Sequence, residues 1–243
     1  HAGQRRVGLW VRAVSDGGGA PVAPCAELTA KVRRHRRALV GIVATSPDEI
    51  LHGVLADGFA VVDWLSAHDK QVFVDLKFFD VPATVARAVK QLRGRNITFA
   101  TVHGNDAIMR AAAEVSGDVG ILAVTVLTSL DSADMRDLGF DCDIPALVRS
   151  RARRALTLGC AGVVASGEEA AVLRTTLGDN GVIVTPGIRP GHHDDDQKRA
   201  VTPTQALRDG ADYLVVGRPI RDADSPKAAA EQIQAEIRSA LAV

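Results

Sequence analysis

The chain has 243 residues, of which 47% are hydrophobic, and its 29 basic side chains balance 29 acidic ones. This zero net charge argues against a nucleic-acid or electrostatic membrane surface. No apolar run approaches the ~20 residues of a transmembrane helix. The cysteines, Cys25, Cys142 and Cys160, are widely spaced and form no CxxC pair, which argues against a disulfide framework or a zinc knuckle. We expect a soluble cytoplasmic protein with reduced thiols and no signal peptide.

The N-terminal part of the chain has the least regular pattern. Val7–Val14 is compatible with a strand, Ser15–Pro24 with a Gly/Pro loop, and Ala26–Leu39 with a helix. That helix carries clustered arginines, which are typical of a solvated helix face. A short apolar run follows at Val40–Ala44.

Strand and helix patterns alternate from Gly58 onward. The predicted strands are Val72–Leu76, Ile97–His103, Gly120–Leu127, Gly162–Ala165, Val182–Thr185 and Tyr213–Val216. The predicted helices are Gly58–His68, Ala83–Leu92, Ala107–Val115, Ile144–Leu158, Gly167–Leu177, Thr202–Asp209 and Ser225–Leu241. The strands are apolar along their whole length, as expected in a parallel sheet covered on both faces.

This alternation predicts an α/β fold, namely a (β/α)8 TIM barrel that forms a single domain over residues 1–243. Six strand–helix units are visible from Val72 onward, and the preceding residues have room for two more. The alternative is an open doubly wound sheet, which favours a Gly-rich turn after its first strand. The run Gly17–Gly19 lacks the GxGxxG spacing of that turn. In a barrel, functional residues lie at the C-terminal ends of the strands.

The segment Val72–Thr84, VFVDLKFFDVPAT, carries the strongest chemical signal. Asp75 and Lys77 are two residues apart on a predicted strand, so their side chains should share one face. Asp80 follows in the loop, close enough in sequence to return to the same site. Buried charges are costly unless they are paired. The group is therefore either a structural salt bridge or a reactive site with two carboxylates and one ammonium.

Polar residues also follow the other predicted strands, and they should meet at the same rim of a barrel. The loops after the seventh and eighth strands commonly bind phosphate in this fold. A glycine beside an arginine offers both backbone N–H groups and a bidentate guanidinium. These rim residues are Thr128, Ser129, Arg189, Gln197, Gly217 and Arg218.

Two histidine segments each allow two interpretations. His103 ends a predicted strand, where it is either a hydrogen-bonded rim residue or a catalytic base. His192 and His193 precede Asp194–Asp196, a composition that resembles a metal site. Consecutive residues on a loop rarely converge on one ion, so we expect a solvated loop there and no metal site.

Five sequence blocks together resemble the orotidine 5′-phosphate decarboxylase family. They are VFVDLKFFDVPATV, which matches the family signature DxKxxDIPxT, TVHG, AVTVLTS, VTPGIRP followed by DQKR, and YLVVGRPI. They occur in the family's order from about Gly53 to the C-terminus. The resemblance implies a carboxy-lyase of pyrimidine biosynthesis that converts orotidine 5′-phosphate into uridine 5′-phosphate and CO2. It also implies a (β/α)8 barrel that needs no cofactor or metal.

The resemblance also implies roles for individual residues. Lys77 would protonate C6 of the pyrimidine as CO2 leaves, and Asp75 would lie beside the substrate carboxylate. Asp80 and Thr84 would reach into the neighbouring subunit's site, which makes a homodimer necessary for activity. Ring contacts would come from Thr128 and Ser129, and phosphate contacts from Arg189, Gln197, Gly217 and Arg218.

Residues 1–52 do not show the family's pattern. The family's second strand carries a lysine within KxGxE, which should fall near Thr45–Ile50, and no lysine is there. Catalysis should be weaker unless another cation replaces it. The missing lysine leaves open an impaired barrel that still binds nucleotide phosphates. A second alternative is a metal-dependent sugar-phosphate decarboxylase or aldolase of the same superfamily, because those enzymes share the DxKxxD motif. Pro82 and Thr84 favour the orotidylate enzymes over the sugar-phosphate ones.

Overall fold

The computed structural model describes residues 8–13, 39–42, 59–67, 70–190 and 200–241. The strands are β1 Gly8–Ala13, β2 Leu39–Ile42, β3 Gln71–Phe78, β4 Ile97–His103, β5 Gly120–Val124, β6 Gly162–Val164, β7 Val182–Thr185 and β8 Tyr213–Val216. The helices in these ranges are α1 Ala60–Ala67, α2 Pro82–Lys90, α3 Asp106–Val115, α4 Ser132–Asp137, α5 Ile144–Thr157, α6 Ala170–Leu177, α7 Pro203–Arg208, α8 Arg218–Arg221 and α9 Pro226–Leu241. Within the same ranges, no helix is both long and apolar enough to cross a membrane.

The strands pair in chain order, and each runs parallel to its neighbour. β3 to β8 form a curved six-stranded sheet with helices between the strands. β2 pairs with β3, and β1 pairs with both β2 and β8, which closes the ladder into a ring. The predicted α/β class is thus confirmed. Residues 14–38, between β1 and β2, and residues 43–58, between β2 and α1, lie outside the described residues, so the complete eightfold strand–helix repeat stays a prediction.

Alternate residues of each strand face two different apolar layers. The first layer lies inside the curved sheet. The second layer lies between the sheet and the helices, and its strand residues alternate in sequence with those of the first layer. Inside the sheet, the Phe99 ring contacts Phe73 at 6.4 Å and Tyr213 at 5.3 Å between centroids. A Cβ on Gly120 would lie 2.8 Å from the Phe99 ring, so glycine leaves room for it. Burial on both sides explains why the strand sequences lack a polar face.

Most predicted elements are confirmed to within about two residues. β7 and β8 have the predicted bounds. The predicted strand Gly120–Leu127 is too long, because β5 ends at Val124, where its pairing with β6 also ends. Helix α4 was not predicted. Asp131 caps it by accepting the N–H groups of Ala133 and Asp134.

A largely buried ion pair ties helix α6 to the segments that precede β7 and β8. Arg174 on α6 pairs with Asp212, and its guanidinium also donates to the carbonyls of Gly181 and Gly210. The Asp212 carboxylate in turn accepts the N–H of Ile183. Loss of the guanidinium would leave several buried acceptors without a donor, which is costly.

We expect Arg174→Met to lower the free energy of unfolding by about 3 kcal/mol, because it leaves the Asp212 carboxylate uncompensated. Urea unfolding followed by circular dichroism measures this change. Arg154→Met is the matched control, since Arg154 pairs with Asp106 at an exposed site. The control should cost less than about 1 kcal/mol. Equal losses in the two variants would contradict a structural role for the Arg174 network.

Candidate active site

The carboxyl ends of the parallel strands bring most of the predicted polar residues to one rim. These are Asp75 and Lys77 on β3, Asp80 in the loop that follows, Thr84 on α2, Thr128 and Ser129 after β5, Arg189 after β7, and Gly217 and Arg218 after β8. Gln197 lies outside the described residues, as do the His192–Asp196 segment and residues 45–50.

Asp75 is the centre of a three-residue hydrogen-bond cluster. Lys77 Nζ donates to Asp75 Oδ2 at 2.6 Å, and the Thr101 hydroxyl donates to Oδ1 at 2.7 Å. The backbone N–H of Lys77 donates to the same Thr101 hydroxyl at 2.9 Å. Asp75 is only 9% exposed, whereas the Lys77 side chain is 33% exposed. The carboxylate is therefore fixed inside the rim, and the ammonium remains accessible to a substrate.

A break in strand pairing places Lys77 in this cluster. Val74 pairs with Ala100 and Phe78 with Val102, so four steps along β3 match two along β4. Within this bulge Lys77 has a φ of +47°, in the left-handed region. That conformation costs a non-glycine residue on the order of 1–3 kcal/mol, and such strain is concentrated at functional sites. Simple alternation predicted a shared face for Asp75 and Lys77, but the observed contact also depends on the bulge.

Asp80 lies apart from the Asp75–Lys77 pair in this chain. Its Oδ1 accepts the N–H of Val81 at 2.6 Å, and the residue is exposed. Among the described residues, no cation pairs with its carboxylate. The flanking Phe79 and Val81 are 66% and 63% exposed. Asp80 is therefore an exposed residue between two exposed apolar side chains, and the hydrogen bonds and ion pairs of the described residues do not join it to the pair.

Thr84 lies near Asp80, on the first turn of α2. Its hydroxyl accepts a hydrogen bond from Arg87 Nη2 at 3.3 Å. Pro82 occupies the first helical position, where its missing N–H carries no cost. The proline thus starts the helix that carries Thr84.

His103 lies at the end of β4, and its ring centroid is 4.6 Å from that of Phe79. Burial lowers its pKa below the ordinary value of 6.5, and the positive charges of Arg151 and Lys77 lower it further. Arg151 on α5 donates to the carbonyl of Thr125. It packs against Gly104, where an added Cβ would lie 3.1 Å from the Arg151 Cδ. The sequence left a rim role and a base role open, and the structure provides a packed imidazole that favours its neutral form.

Three of the predicted phosphate residues follow the neighbouring strands β7 and β8. Arg189 is buried, and its backbone N–H donates to the carbonyl of Val201 at 3.0 Å. Gly217 connects β8 to α8, which begins at Arg218. Strand alternation puts Gly217 on the same face as Tyr213, whose ring lies inside the sheet. A glycine is thus present at the mouth of the interior, beside an arginine.

Sequence reasoning missed Thr101 and Arg151. Thr101 is a fully buried polar residue in the middle of β4. It lies two residues before His103, and that spacing was the signal that could have identified it. Among the residues that the structure describes, no three His, Cys, Asp or Glu side chains are grouped so that they could hold a metal ion.

Comparisons with known proteins agree with the resemblance inferred from the sequence. The model of the orotidine 5′-phosphate decarboxylase / HUMPS family matches residues 52–233. The orotidine 5′-phosphate decarboxylase of Methylococcus capsulatus is 64% identical over 188 residues, which cover 76% of this chain and 78% of that protein. The protein of the same name from Nitrobacter winogradskyi is 53% identical over 180 residues, with coverage of 73% and 75%.

A solved structure extends the similarity to the fold. The crystal structure of orotidine 5′-phosphate decarboxylase from Lactobacillus acidophilus matches with a TM-score of 0.76 and 29% sequence identity. The match covers 96% of this chain and 99% of that chain. The two proteins thus share an α/β architecture.

We expect His103 to make the folded protein less stable as the pH falls below about 6.5. The unfolded chain protonates this histidine near pH 6.5, whereas the lowered pKa delays protonation of the folded protein. Between these two pKa values the unfolded state binds more protons, so acid favours unfolding. Urea unfolding of the wild type and of His103→Gln at pH 8 and at about pH 5.5 tests this. The wild type should lose more stability than the variant, and a pH-independent difference would contradict the assignment.

Proposed function

Because the chain belongs to the orotidine 5′-phosphate decarboxylase / HUMPS family, we propose that it converts orotidine 5′-phosphate into uridine 5′-phosphate and CO2. Relatives that are 50–64% identical over most of the chain bear that enzyme's name. None of these names supports the sugar-phosphate enzyme or the impaired barrel. The observation that carries the proposal is the Asp75–Lys77 pair within the signature segment at the end of β3.

The reaction requires stabilisation of negative charge at C6 of the pyrimidine. When the bond from C6 to the carboxylate breaks, its electron pair stays on C6 and the carboxylate leaves as CO2. The partly exposed ammonium of Lys77 stabilises that charge and then donates a proton to C6. The resulting neutral amine regains a proton from water. No cofactor or metal takes part in this scheme.

Asp75 acts on the same step through charge. Its carboxylate lies 2.6 Å from Lys77 Nζ, so it holds the ammonium in place. It also repels the carboxylate of the bound substrate, and that repulsion disappears when neutral CO2 forms. Because this repulsion raises the free energy of the bound substrate more than that of the transition state, it lowers the barrier to decarboxylation. This effect is called ground-state destabilisation.

We assign substrate contacts to the remaining rim residues. Thr128 and Ser129 would contact the pyrimidine ring, since they follow β5 on the rim shared with β3. The neighbouring strands β7 and β8 would supply the phosphate site, in agreement with the common location of phosphate in this fold. Binding energy from the remote phosphate can be used at the reacting carbon. The phosphate residues are Arg189, Gln197, Gly217 and Arg218.

We also infer a homodimer in which Asp80 and Thr84 complete the partner's site. Asp80 is exposed and forms no ion pair with the described residues, and Phe79 and Val81 present an exposed apolar surface beside it. Burial of that surface against a second copy would remove apolar area from water and desolvate Asp80 next to a substrate. We further infer a cytoplasmic protein with a single, complete (β/α)8 barrel domain over residues 1–243.

We expect Lys77→Ala to lower kcat/KM for orotidine 5′-phosphate by about 10⁴-fold, because it removes both the proton donor and the stabilising cation. The loss of substrate absorbance measures the reaction. Lys90→Ala, at the exposed end of α2, is the control and should retain wild-type turnover. Activity should also survive a chelator, unlike that of the sugar-phosphate enzymes. A wild type without turnover would overturn the proposal.

We expect a mixture of Asp80→Asn and Lys77→Ala chains to regain activity that neither variant has alone. If Asp80 serves the partner's site, a heterodimer contains one site with both native residues. Equal mixing then restores about one quarter of all sites, since half the dimers are mixed and each contributes one good site of two. The chains are mixed after reversible dissociation, and size-exclusion chromatography checks the dimer. Inactive mixed dimers would place Asp80 outside the partner's site.

A further inference from the structure

We propose that Thr101 is a positioning residue that sets the geometry of both Asp75 and Lys77, and this rests on the proposed function of that pair. One hydroxyl can donate one hydrogen bond and accept others. The Thr101 hydroxyl donates to Asp75 Oδ1 at 2.7 Å and accepts the Lys77 N–H at 2.9 Å. It is therefore bonded to both members of the ion pair at the same time.

The first bond fixes the rotation of the Asp75 carboxylate. With Oδ1 held from β4, Oδ2 is left to accept Lys77 Nζ at 2.6 Å. Thr101 is fully buried and Asp75 nearly so, and a lost bond at such a depth is poorly replaced by water. Hydrogen bonds to an ionised acceptor are roughly twice as strong as neutral ones. Thr101 thus fixes the carboxylate in a rotation that turns its second oxygen toward the ammonium.

The second bond supports the unusual backbone of Lys77. The bulge between Val74 and Phe78 interrupts the ladder with β4. The Lys77 N–H therefore needs another acceptor, and the Thr101 hydroxyl provides it. A lysine keeps a left-handed backbone conformation only where several surrounding contacts hold it there. Thr101 contributes to that constraint at the residue that carries the reacting ammonium.

Thr101 is itself held rigidly. It is β-branched, which restricts its first side-chain torsion. Strand alternation puts it on the same face as Phe99, as it puts Asp75 on the same face as Phe73. The rings of Phe73 and Phe99 contact each other edge to face at 6.4 Å. The Thr101 hydroxyl and the Asp75 carboxylate therefore lie at the rim end of β3 and β4, two strands that the contact between Phe73 and Phe99 also joins.

A positioning role and a merely structural role predict different kinetics. Thr101 is buried beneath the rim, so a substrate at Lys77 does not reach it. Its loss should lower kcat by about tenfold to a hundredfold, because small displacements of reacting groups are costly. KM should stay within about threefold, because uniform binding is unchanged. A structural hydrogen bond alone would lower the melting temperature without this split between kcat and KM.

The test compares Thr101→Val, which keeps the shape and removes the hydroxyl, with Thr101→Ser, which keeps the hydroxyl. The matched control is Thr125→Val, because Thr125 is also fully buried, and its hydroxyl donates to the carbonyl of Val164 at 3.2 Å. Thr101→Val should show the kcat loss, Thr101→Ser should restore most of it, and Thr125→Val should turn over like the wild type. An equal kcat loss in Thr125→Val and Thr101→Val would overturn the proposal.

A second readout does not depend on turnover. Hydrogen exchange of the Lys77 amide is followed by NMR with 15N-lysine labelling, and Lys77→Arg identifies its signal. Thr101→Val should speed this exchange by about tenfold, as expected for loss of a buried hydrogen bond. Thr101→Ser should restore slow exchange.

The two readouts separate the two proposals. Fast exchange in Thr101→Val, together with a wild type that lacks decarboxylation, would overturn the proposed function and support the positioning role. Unchanged exchange and unchanged kcat in Thr101→Val would overturn the positioning role and leave the decarboxylase intact. Unchanged exchange with a lowered kcat would also overturn it, since the backbone bond would then be irrelevant.

Discussion

The contact between Asp75 and Lys77 constrains the structure around it. A buried carboxylate costs several kcal/mol unless it is compensated, and here Lys77 and Thr101 together compensate it. A reactive ammonium must also meet a substrate, so the pair cannot be buried completely. The structure meets both demands by placing Asp75 inward and Lys77 at the surface of the rim. The bulge in β3 and the left-handed backbone conformation of Lys77 allow Asp75 to be buried while Lys77 stays partly exposed.

The parts of the fold that the sequence predicted well are those with local signals. β7 and β8 are short apolar runs with clear borders, and α9 begins at Pro226, one residue after the predicted start. The end of β5 had no such signal, because GILAVTVL is apolar beyond Val124. β5 ends where its pairing with the short strand β6 ends. The sequence of an apolar run contains no information about the length of the strand that pairs with it. Helix α4 was missed because a six-residue polar segment has too little periodicity.

The candidate site shows the same division between local and distant information. Asp75 and Lys77 were identified because charged side chains within an apolar strand are costly to bury unless they are paired or functional. Thr101 was missed because a threonine is common in strands, and its role depends on the register between β3 and β4. The position of Asp80 depends on the course of one loop. The exposure of Asp80 and of its apolar neighbours could not be inferred from its spacing to Lys77.

Charge balance at the rim links these observations. The formal charges of Asp75 and Lys77 cancel, so a substrate carboxylate bound as proposed would bring one uncompensated negative charge close to Asp75. An Asp80 contributed by a partner would add another, and buried like charges repel strongly. His103 does not offset them, because its lowered pKa favours the neutral ring. Arg151 is the other cation whose charge acts on His103, and one of its donors is bound to the Thr125 carbonyl. A further cation near Lys77 would therefore strengthen charge stabilisation at this rim without any change in the curved sheet.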